Sequence, residues 1–431
     1  MRNNPVRHAT CRLGSGLLTR FCADRSGAIA LIFALTIGLM MAAVGGAVDF
    51  ARAYRAQTLI QNGMDAAALA AARVKQTGGS DAEATATGEA YMRALVRQFA
   101  LTGEAKFTVL DAGTAIQGDA DYKFGVSFLR VMGFDQLSLR TASVATFGIG
   151  SASSTNVELV MMLDVTGSMR GQKIEDLKLA ADDLISIVIP DATGNGGAKI
   201  GLAPFAEAVK LDNNTFRAAT GKDNSGPGSY KGCVVERTGP AAFTDELPGP
   251  GAYLVPLEDA GGSSCMDGRE AFPLSNKKSD LKAMVRTLEP GGRTAGHLGT
   301  AWAWYLLSPN WASAFDGNSR PLPYEYIKET TTAGDPKLRK IAVLMTDGEY
   351  NIQYSATDST TQARRLCDEM KKQGIEVFTV GFDLGGNATA IETLRGCASQ
   401  PSMFYNTTTG EQLRMAFRDI ALQAAPLRLS R

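Results

Sequence analysis

Ala28 to Val48 reads AIALIFALTIGLMMAAVGGAV, twenty-one residues without one charge. A helix needs about 20 consecutive apolar residues to cross a bilayer, because it rises only ~1.5 Å per residue through ~30 Å of hydrocarbon. The run is longer than the ~7–15-residue core of a cleavable signal peptide, although Gly45-Gly46-Ala47 has the small residues of a cleavage site. A retained transmembrane helix over 28–48 is therefore expected, with a tail over 1–27. That tail carries Arg2, Arg7, Arg12, Arg20 and Arg25 against the single acid Asp24, whereas only Arg52 and Arg55 follow the run closely. The positive-inside rule then puts the N-terminus in the cytoplasm and everything after Asp49 outside it. Gly38, Ala42, Gly45 and Gly46 could let another apolar helix approach closely.

The cysteines agree with this topology. Cys11 and Cys22 precede the span, while Cys233, Cys265, Cys367 and Cys397 follow it, an even number in a disulfide-permissive compartment. Their order suggests Cys233–Cys265 and Cys367–Cys397, two of the possible pairings. No CxxC metal pattern occurs. Lysine and arginine total 44, as do aspartate and glutamate, so the basic footprint of a nucleic-acid binder is absent. With His8 and His297 as the only histidines, histidine-based zinc sites and most Ser/His or Cys/His catalytic systems are disfavoured.

Beyond the span, residues 49–147 read as a membrane-proximal module. Phe50–Val74 is alanine-rich and continues the helix, and Gly78-Gly79-Ser80 breaks it. Asp81–Phe99 has apolar residues at helical spacing, and Lys106–Leu110, Tyr122–Leu129 and Gln136–Phe147 are strand-like. After the connector GIGSASSTN, strand-like runs (Val157–Leu163, Lys199–Ala203, Lys340–Met345, Ile375–Val380) alternate with helical ones. The helical runs are Lys173–Ile189, Leu281–Leu288, His297–Leu307, Thr360–Gln373 and Gly410–Gln423. This alternation predicts an α/β fold over 155–425, a doubly wound parallel sheet covered on both faces. Residues 205–276 interrupt the rhythm with Gly- and Pro-dense sequence around Cys233 and Cys265, an insertion far longer than an ordinary loop.

In an open parallel sheet, ligands bind beyond the carboxyl ends of the strands. The run VELVMML ends there in Asp164, Thr166 and Ser168, and IAVLMT ends in Asp347. Between them GGRT presents Thr294 ahead of a helix, with Thr300 close by. Two carboxylates and three hydroxyls are hard oxygen donors, suited to a divalent cation rather than to proton transfer.

DVTGSM, the glycine-rich loop with Thr294 and the strand ending in TDGE together resemble the metal-ion-dependent adhesion site of von Willebrand factor A domains. The first motif of that family is Asp-x-Ser-x-Ser, and here Thr166 replaces the first serine while keeping its hydroxyl. The resemblance implies a site for Mg²⁺ (or Mn²⁺ or Ca²⁺) built from Asp164, Thr166 and Ser168 on one loop, Thr294 on a second and Asp347 on a third. It further implies direct binding by Ser168 and Thr294, Asp347 acting through water, and one coordination position left for a partner's acidic side chain. Enzyme patterns fit less well: Thr166 is no second carboxylate, TGSM is no G-x-S-x-G elbow, and GNGGAK lacks P-loop spacing.

Nearly the whole chain also resembles the TadE/TadG-like proteins of Flp/Tad (type IVb) pilus assembly. The matching pieces include DRSGAIALIFALTIG, YKGCVVER, GRTAGHLGTAWAWYLLSP and CASQPSMFYNTTTGEQLRMAF. Ile32 stands about where the processed pseudopilins of that system carry a glutamate after the cleavage glycine, so no prepilin processing at Gly27 is expected. The resemblance implies a non-enzymatic assembly factor of the bacterial inner membrane, single-pass, with its von Willebrand-type domain in the periplasm. Its partners would be other pilus-assembly proteins or pilins, with no nucleic acid and no small-molecule substrate. The alternatives are an adhesin released by cleavage near Ala47 and, less well supported, a metal-dependent hydrolase.

Overall fold

The structure, a computed structural model, describes residues 27–76, 79–97, 101–110, 115–146, 155–189, 197–224, 230–263, 265, 269–331, 334–425 and 428–430. The arginine-rich tail with His8, Cys11 and Cys22, and most of the connector after Thr146, lie outside the described residues. The chain divides into two compact units. One holds the residues up to Ala66, Glu89–Lys106 and Gly118–Ala142; the other holds Ala67–Gly88, Phe107–Gln117 and the chain from Ser143 onward.

A single 50-residue helix, α1 (Gly27–Gln76), takes in both the uncharged run and its alanine-rich extension. Large apolar side chains of its first half, from Ile32 to Tyr54, are exposed, whereas Ile60, Met64 and Ala67–Ala72 are largely buried. Helix α2 (Asp81–Val96) starts on a capping box. The Ser80 hydroxyl accepts from the Glu83 N–H at 3.2 Å, and the Glu83 carboxylate accepts from the Ser80 N–H at 2.8 Å. Strands β1 (Thr102–Leu110), β2 (Ala115–Gly125) and β3 (Gln136–Thr146) form a sheet in that order, and the C-terminal Arg428–Ser430 adds antiparallel to β3. β2 starts well before Tyr122, where its apolar character becomes obvious. Its buried positions Ile116, Gly118, Ala120 and Tyr122 alternate properly, but the small Gly118 and Ala120 hide the period from a reading by hydropathy.

The second unit is organised by β4 (Asn156–Asp164), followed by α3 (Gln172–Val188) and β5 (Ala198–Phe205). Then come β6 (Val209–Lys210), α4 (Asn213–Thr220), β7 (Cys233–Arg237), β8 (Leu254–Pro256) and β9 (Phe272–Ser275). Helices α5 (Lys278–Arg286), α6 (Gly296–Tyr305) and α7 (Glu325–Lys328) lead to β10 (Leu338–Thr346). The chain closes with α8 (Ser359–Lys372), β11 (Glu376–Phe382), α9 (Ala388–Cys397), β12 (Phe404–Thr407), α10 (Gly410–Ala424) and β13 (Arg428–Ser430).

The central sheet has the order β12-β11-β10-β4-β5-β9. All its neighbours are parallel except β9, which lies antiparallel to β5. Strand β4 explains the layering. Val157, Leu159, Met161 and Leu163 join a buried cluster with Leu177, Leu184 and Ile185 of α3 and Phe417 and Ile420 of α10. Val160 and Met162, of opposite parity, join a second cluster with Leu298, Trp302 and Trp304 of α6. Both faces of the strand are therefore covered, as a near-continuous apolar run requires.

Glu158 is the exception in that run. It is fully buried and ion-paired with Lys340 on the neighbouring β10, and each group has a further partner: the Leu322 N–H donates to Glu158, and Lys340 donates to the Leu307 carbonyl, both at 2.8 Å.

Within 205–276, β6, β7 and β8 make a separate three-stranded sheet, while β9 closes the edge of the main one. Disulfides join Cys233 to Cys265 and Cys367 on α8 to Cys397 on α9.

Candidate functional site

β4, β10 and β11 are adjacent and parallel, so their carboxyl ends open on one edge. Asp164 is the last residue of β4, Asp347 follows β10, and Asp383 follows β11. The Asp164 carboxylate accepts from the Thr166 N–H at 2.9 Å and from the Thr346 hydroxyl at 2.6 Å, which fixes both of its oxygens. The hydroxyls of Thr166 and Ser168 lie 2.9 Å apart, and Ser168 donates to Asp347 Oδ1 at 2.6 Å. Lys173, at the start of α3, places its ammonium 3.1 Å from Asp347 Oδ2 and 3.1 Å from Asp383 Oδ2.

Asp164, Thr166, Ser168 and Asp347 are thus brought into one hydrogen-bonded group. Among the described residues, Thr294 is not drawn into that group by a hydrogen bond; its loop is held to the third loop through the backbone. The Thr294 N–H donates to the Asn351 side chain at 3.0 Å and its carbonyl accepts from the Asn351 N–H at 2.9 Å, tying the second loop to the third. First and second loops are tied by Gly167 N–H to the Gly292 carbonyl and Gly291 N–H to the Val165 carbonyl, at 3.0 and 2.9 Å. Thr300 faces inward on α6, its hydroxyl bonded to the Gly296 carbonyl at 2.9 Å.

Electrostatics single out Asp164. Burial, and then the charge of Asp347, push its carboxyl up to about 6 against the hydrogen bonds that favour ionisation. Burial also opposes the charge on Lys173, but its bonds to Asp383 and Asp347 prevail and hold the ammonium above its ordinary range. Two buried carboxylates kept together in this way call for added positive charge. Among the described residues no group of three or more His, Cys, Asp or Glu is arranged to hold a metal ion; the donors at this edge are carboxylates and the hydroxyls of Thr166 and Ser168. Such a set fits a hard divalent cation such as Mg²⁺, not zinc held by nitrogen or sulfur.

Several residues at this edge escaped the sequence reading. Asp383 could have been found from the strand-end rule, since it directly follows an apolar strand; its left-handed backbone (φ 52°) is one that Asp tolerates better than most residues. Lys173 gives no such signal, because its partners lie 174 and 210 positions away. Tyr350 sits beside Asp164, whose charge adds to burial in raising its hydroxyl's pKa. It fits only because residue 296 is glycine: a Cβ there would lie 1.9 Å from the Tyr350 ring. Arg269, from the end of the 205–276 stretch, donates through Nη1 to the Val165 and Gly291 carbonyls at 3.3 and 2.8 Å, bracing two of the three loops.

His297 takes a structural place. Its Nδ1 is 2.6 Å from the Ser359 hydroxyl and its Nε2 is 3.4 Å from Glu236. Glu236 also accepts from the N–H groups of Tyr354 and Ser355. Burial opposes ionisation of Glu236, but the imidazole and these donors outweigh it and bring the carboxyl down to about 2.

Residues 27–74 match the family model for Flp pilus-assembly TadE/G-like proteins, and residues 324–419 match that for the von Willebrand factor type A domain. The second match includes Asp347 and Asp383; the Asp164 loop and Thr294 precede it. No curated protein matches the chain. Among solved structures, the chain is similar to the pilus adhesin SpaC from Lactobacillus rhamnosus GG, at 10% identity and a TM-score of 0.37 over 75% of this chain and 34% of that one. It is also similar to the vWF domain of the type V pili tip protein Mfa5 from Porphyromonas gingivalis, at 14% identity and TM-score 0.35, over 62% of this chain and 95% of that one. A third likeness is to proximal thread matrix protein 1 from the mussel byssus with a zinc-occupied MIDAS motif, at 14% identity and TM-score 0.34, covering 64% and 48% of the two chains. The chain thus spans about a third of SpaC and about half of the mussel protein. Taken together, the two family matches and the doubly wound sheet make this a chain with a TadE/G-like N-terminal segment and a von Willebrand factor type A domain.

Proposed function

We propose that the protein is a pilus-assembly factor of the bacterial inner membrane, anchored through the apolar part of α1, with its von Willebrand factor A domain in the periplasm. The domain binds an acidic side chain of a partner, another Flp/Tad assembly protein or a pilin, through Mg²⁺ (or Mn²⁺ or Ca²⁺). Asp164, Thr166, Ser168, Thr294 and Asp347 hold the cation. The observation that carries this reading is the pairing of two buried carboxylates with the Thr166 and Ser168 hydroxyls at one sheet edge, with Asp164 pushed up to about 6.

The test is an affinity pull-down of pilus-assembly proteins by the full chain, in Mg²⁺ and in EDTA, with wild type and Asp164→Ala. Capture should fall to background in EDTA and in the variant. Equal capture under all four conditions sinks the metal-bridged mechanism.

Lys173 makes a second expectation. Its ammonium lies where a bound cation repels it, and its side chain is 27% exposed, so solvent screens part of that repulsion. Lys173→Met should tighten Mn²⁺ binding by about tenfold, some ~1.4 kcal/mol, as read by calorimetry or by the electron paramagnetic resonance of free Mn²⁺. Unchanged or weaker binding would show that Lys173 does not compete with the cation.

A further inference from the structure

The loop between β2 and β3 presents Phe128, Val131, Met132 and Phe134 to the outside, with Val131 87% exposed. Exposed apolar clusters of this kind mark a contact surface. This one is seated on α1 inside the uncharged run. Phe128 lies against Gly45, where a Cβ would come within 2.6 Å of the ring-bearing carbon, and Leu129 lies against Gly46, where the same distance would be 3.2 Å. The small residues at 45 and 46 therefore accept this loop, while Gly38 has nothing within 4 Å.

The backbone of the loop is bonded as apolar surroundings demand. Asp49, fully buried, accepts from three successive N–H groups: Ser127 at 3.1 Å, Phe128 at 2.6 Å and Leu129 at 2.8 Å. The N–H groups of Val126, Val131, Gly133 and Phe134 bond to carbonyls within the loop. Arg130, within the loop, pairs with Asp135 at 3.0 Å, and Arg52 reaches the Ser127 hydroxyl at 3.4 Å. A span that starts at Ala28 uses about 20 residues to cross the hydrocarbon, so Gly45 and Gly46 fall within its outer part. Irregular backbone is tolerated at that depth only when its polar groups are satisfied.

We propose that residues 127–134 form a second membrane-contacting element, a wedge that enters the outer part of the same bilayer beside α1, with Arg52 and Arg130 at the headgroups. The lipid is favoured as occupant because the loop is seated at Gly45 and Gly46, in a stretch of α1 whose Leu39, Val44, Val48 and Phe50 are exposed around the helix. The proposal rests on the reading of α1 as a membrane anchor.

The test places a benzophenone amino acid at Val131, Leu39 or Lys372 of the full chain in phosphatidylethanolamine/phosphatidylglycerol vesicles. After illumination, lipid adducts are read by mass spectrometry. Val131 should give lipid adducts at a level comparable with Leu39 and at least about tenfold above the exposed Lys372. Lipid adducts at Leu39 with only background at Val131, or Val131 adducts with polypeptide alone, overturn the wedge and leave the anchor standing. Background at Leu39 as well overturns the anchor and the wedge with it. Gly45→Leu, which fills the space under Phe128, should lower labelling at Val131 and leave that at Leu39 unchanged; equal Val131 labelling in this variant overturns the seating on Gly45.

Discussion

Lys340→Met is expected to lower the unfolding free energy of the von Willebrand factor A domain by about 3–5 kcal/mol. The substitution is close in volume, so packing changes little. What it removes is the counter-charge of Glu158, which lies on β4 at 1% exposure. Burial already raises the Glu158 carboxyl and lowers the Lys340 ammonium from their ordinary values, so each depends on the other to remain charged. Without Lys340, Glu158 must either stay ionised in apolar surroundings or take up a proton. The paired change Glu158→Gln with Lys340→Met should recover most of the loss, because no buried charge remains. Urea unfolding followed by the fluorescence of Trp302, Trp304 and Trp311, all buried in one cluster, measures both. A loss below ~1 kcal/mol in the single variant would mean that the pair contributes little beyond its packing.

The second large effect concerns Asp164 and can be read without any partner. Its carboxyl is at about 6 in the folded domain and near ~3.9 in an unfolded chain. Between those values the folded state binds the extra proton. In EDTA, the stability linked to this group is therefore fully present below pH ~4 and is lost as the pH rises through 6, by about 3 kcal/mol. Glu236 works in the opposite sense. Its folded carboxyl is at about 2, so its contribution is complete above pH ~4.5 and falls away only in stronger acid. Asp164→Asn should flatten the slope between pH 4.5 and 7. If the proposed site takes Mg²⁺ on the ionised carboxylate, the thermal shift the cation produces should be larger at pH 7.5 than at pH 5, and absent in Asp164→Asn. An equal Mg²⁺ shift at both pH values, or in the variant, would place the cation elsewhere.

The von Willebrand-type fold was legible where long apolar runs meet abrupt polar turns. VELVMML followed by DVTGSM, and IAVLMT followed by DGE, mark buried parallel strands and their ligand-facing ends in one stroke. The short strands were not legible: β9 and β12 have four residues each, too few for a period to show, and β9 lies within sequence that otherwise reads as insertion. At the site, residues that sit on strand ends or in glycine-rich turns could be named in advance. Lys173, Tyr350 and Arg269 could not, since each owes its place to a contact made across the fold by a side chain of ordinary local context. The β2–β3 loop was hidden for a similar reason. Phe128 and Leu129 read as the end of a strand, whereas in the structure the carboxylate of Asp49, far back in the sequence, accepts from their N–H groups.

The two disulfides have a consequence for how this chain would behave under load. Cys233–Cys265 closes a loop over a sequence separation of 32, and Cys367–Cys397 one of 30. Stretched chain spans about 3.4 Å per residue, so each bridge withholds about 100 Å of length from a chain drawn out by its ends. The second loop contains all of β11 and, beyond it, Asp383. Even with the sheet peeled apart, the strand beside the candidate metal edge stays short-tethered between α8 and α9, and has little distance to travel back when tension is released.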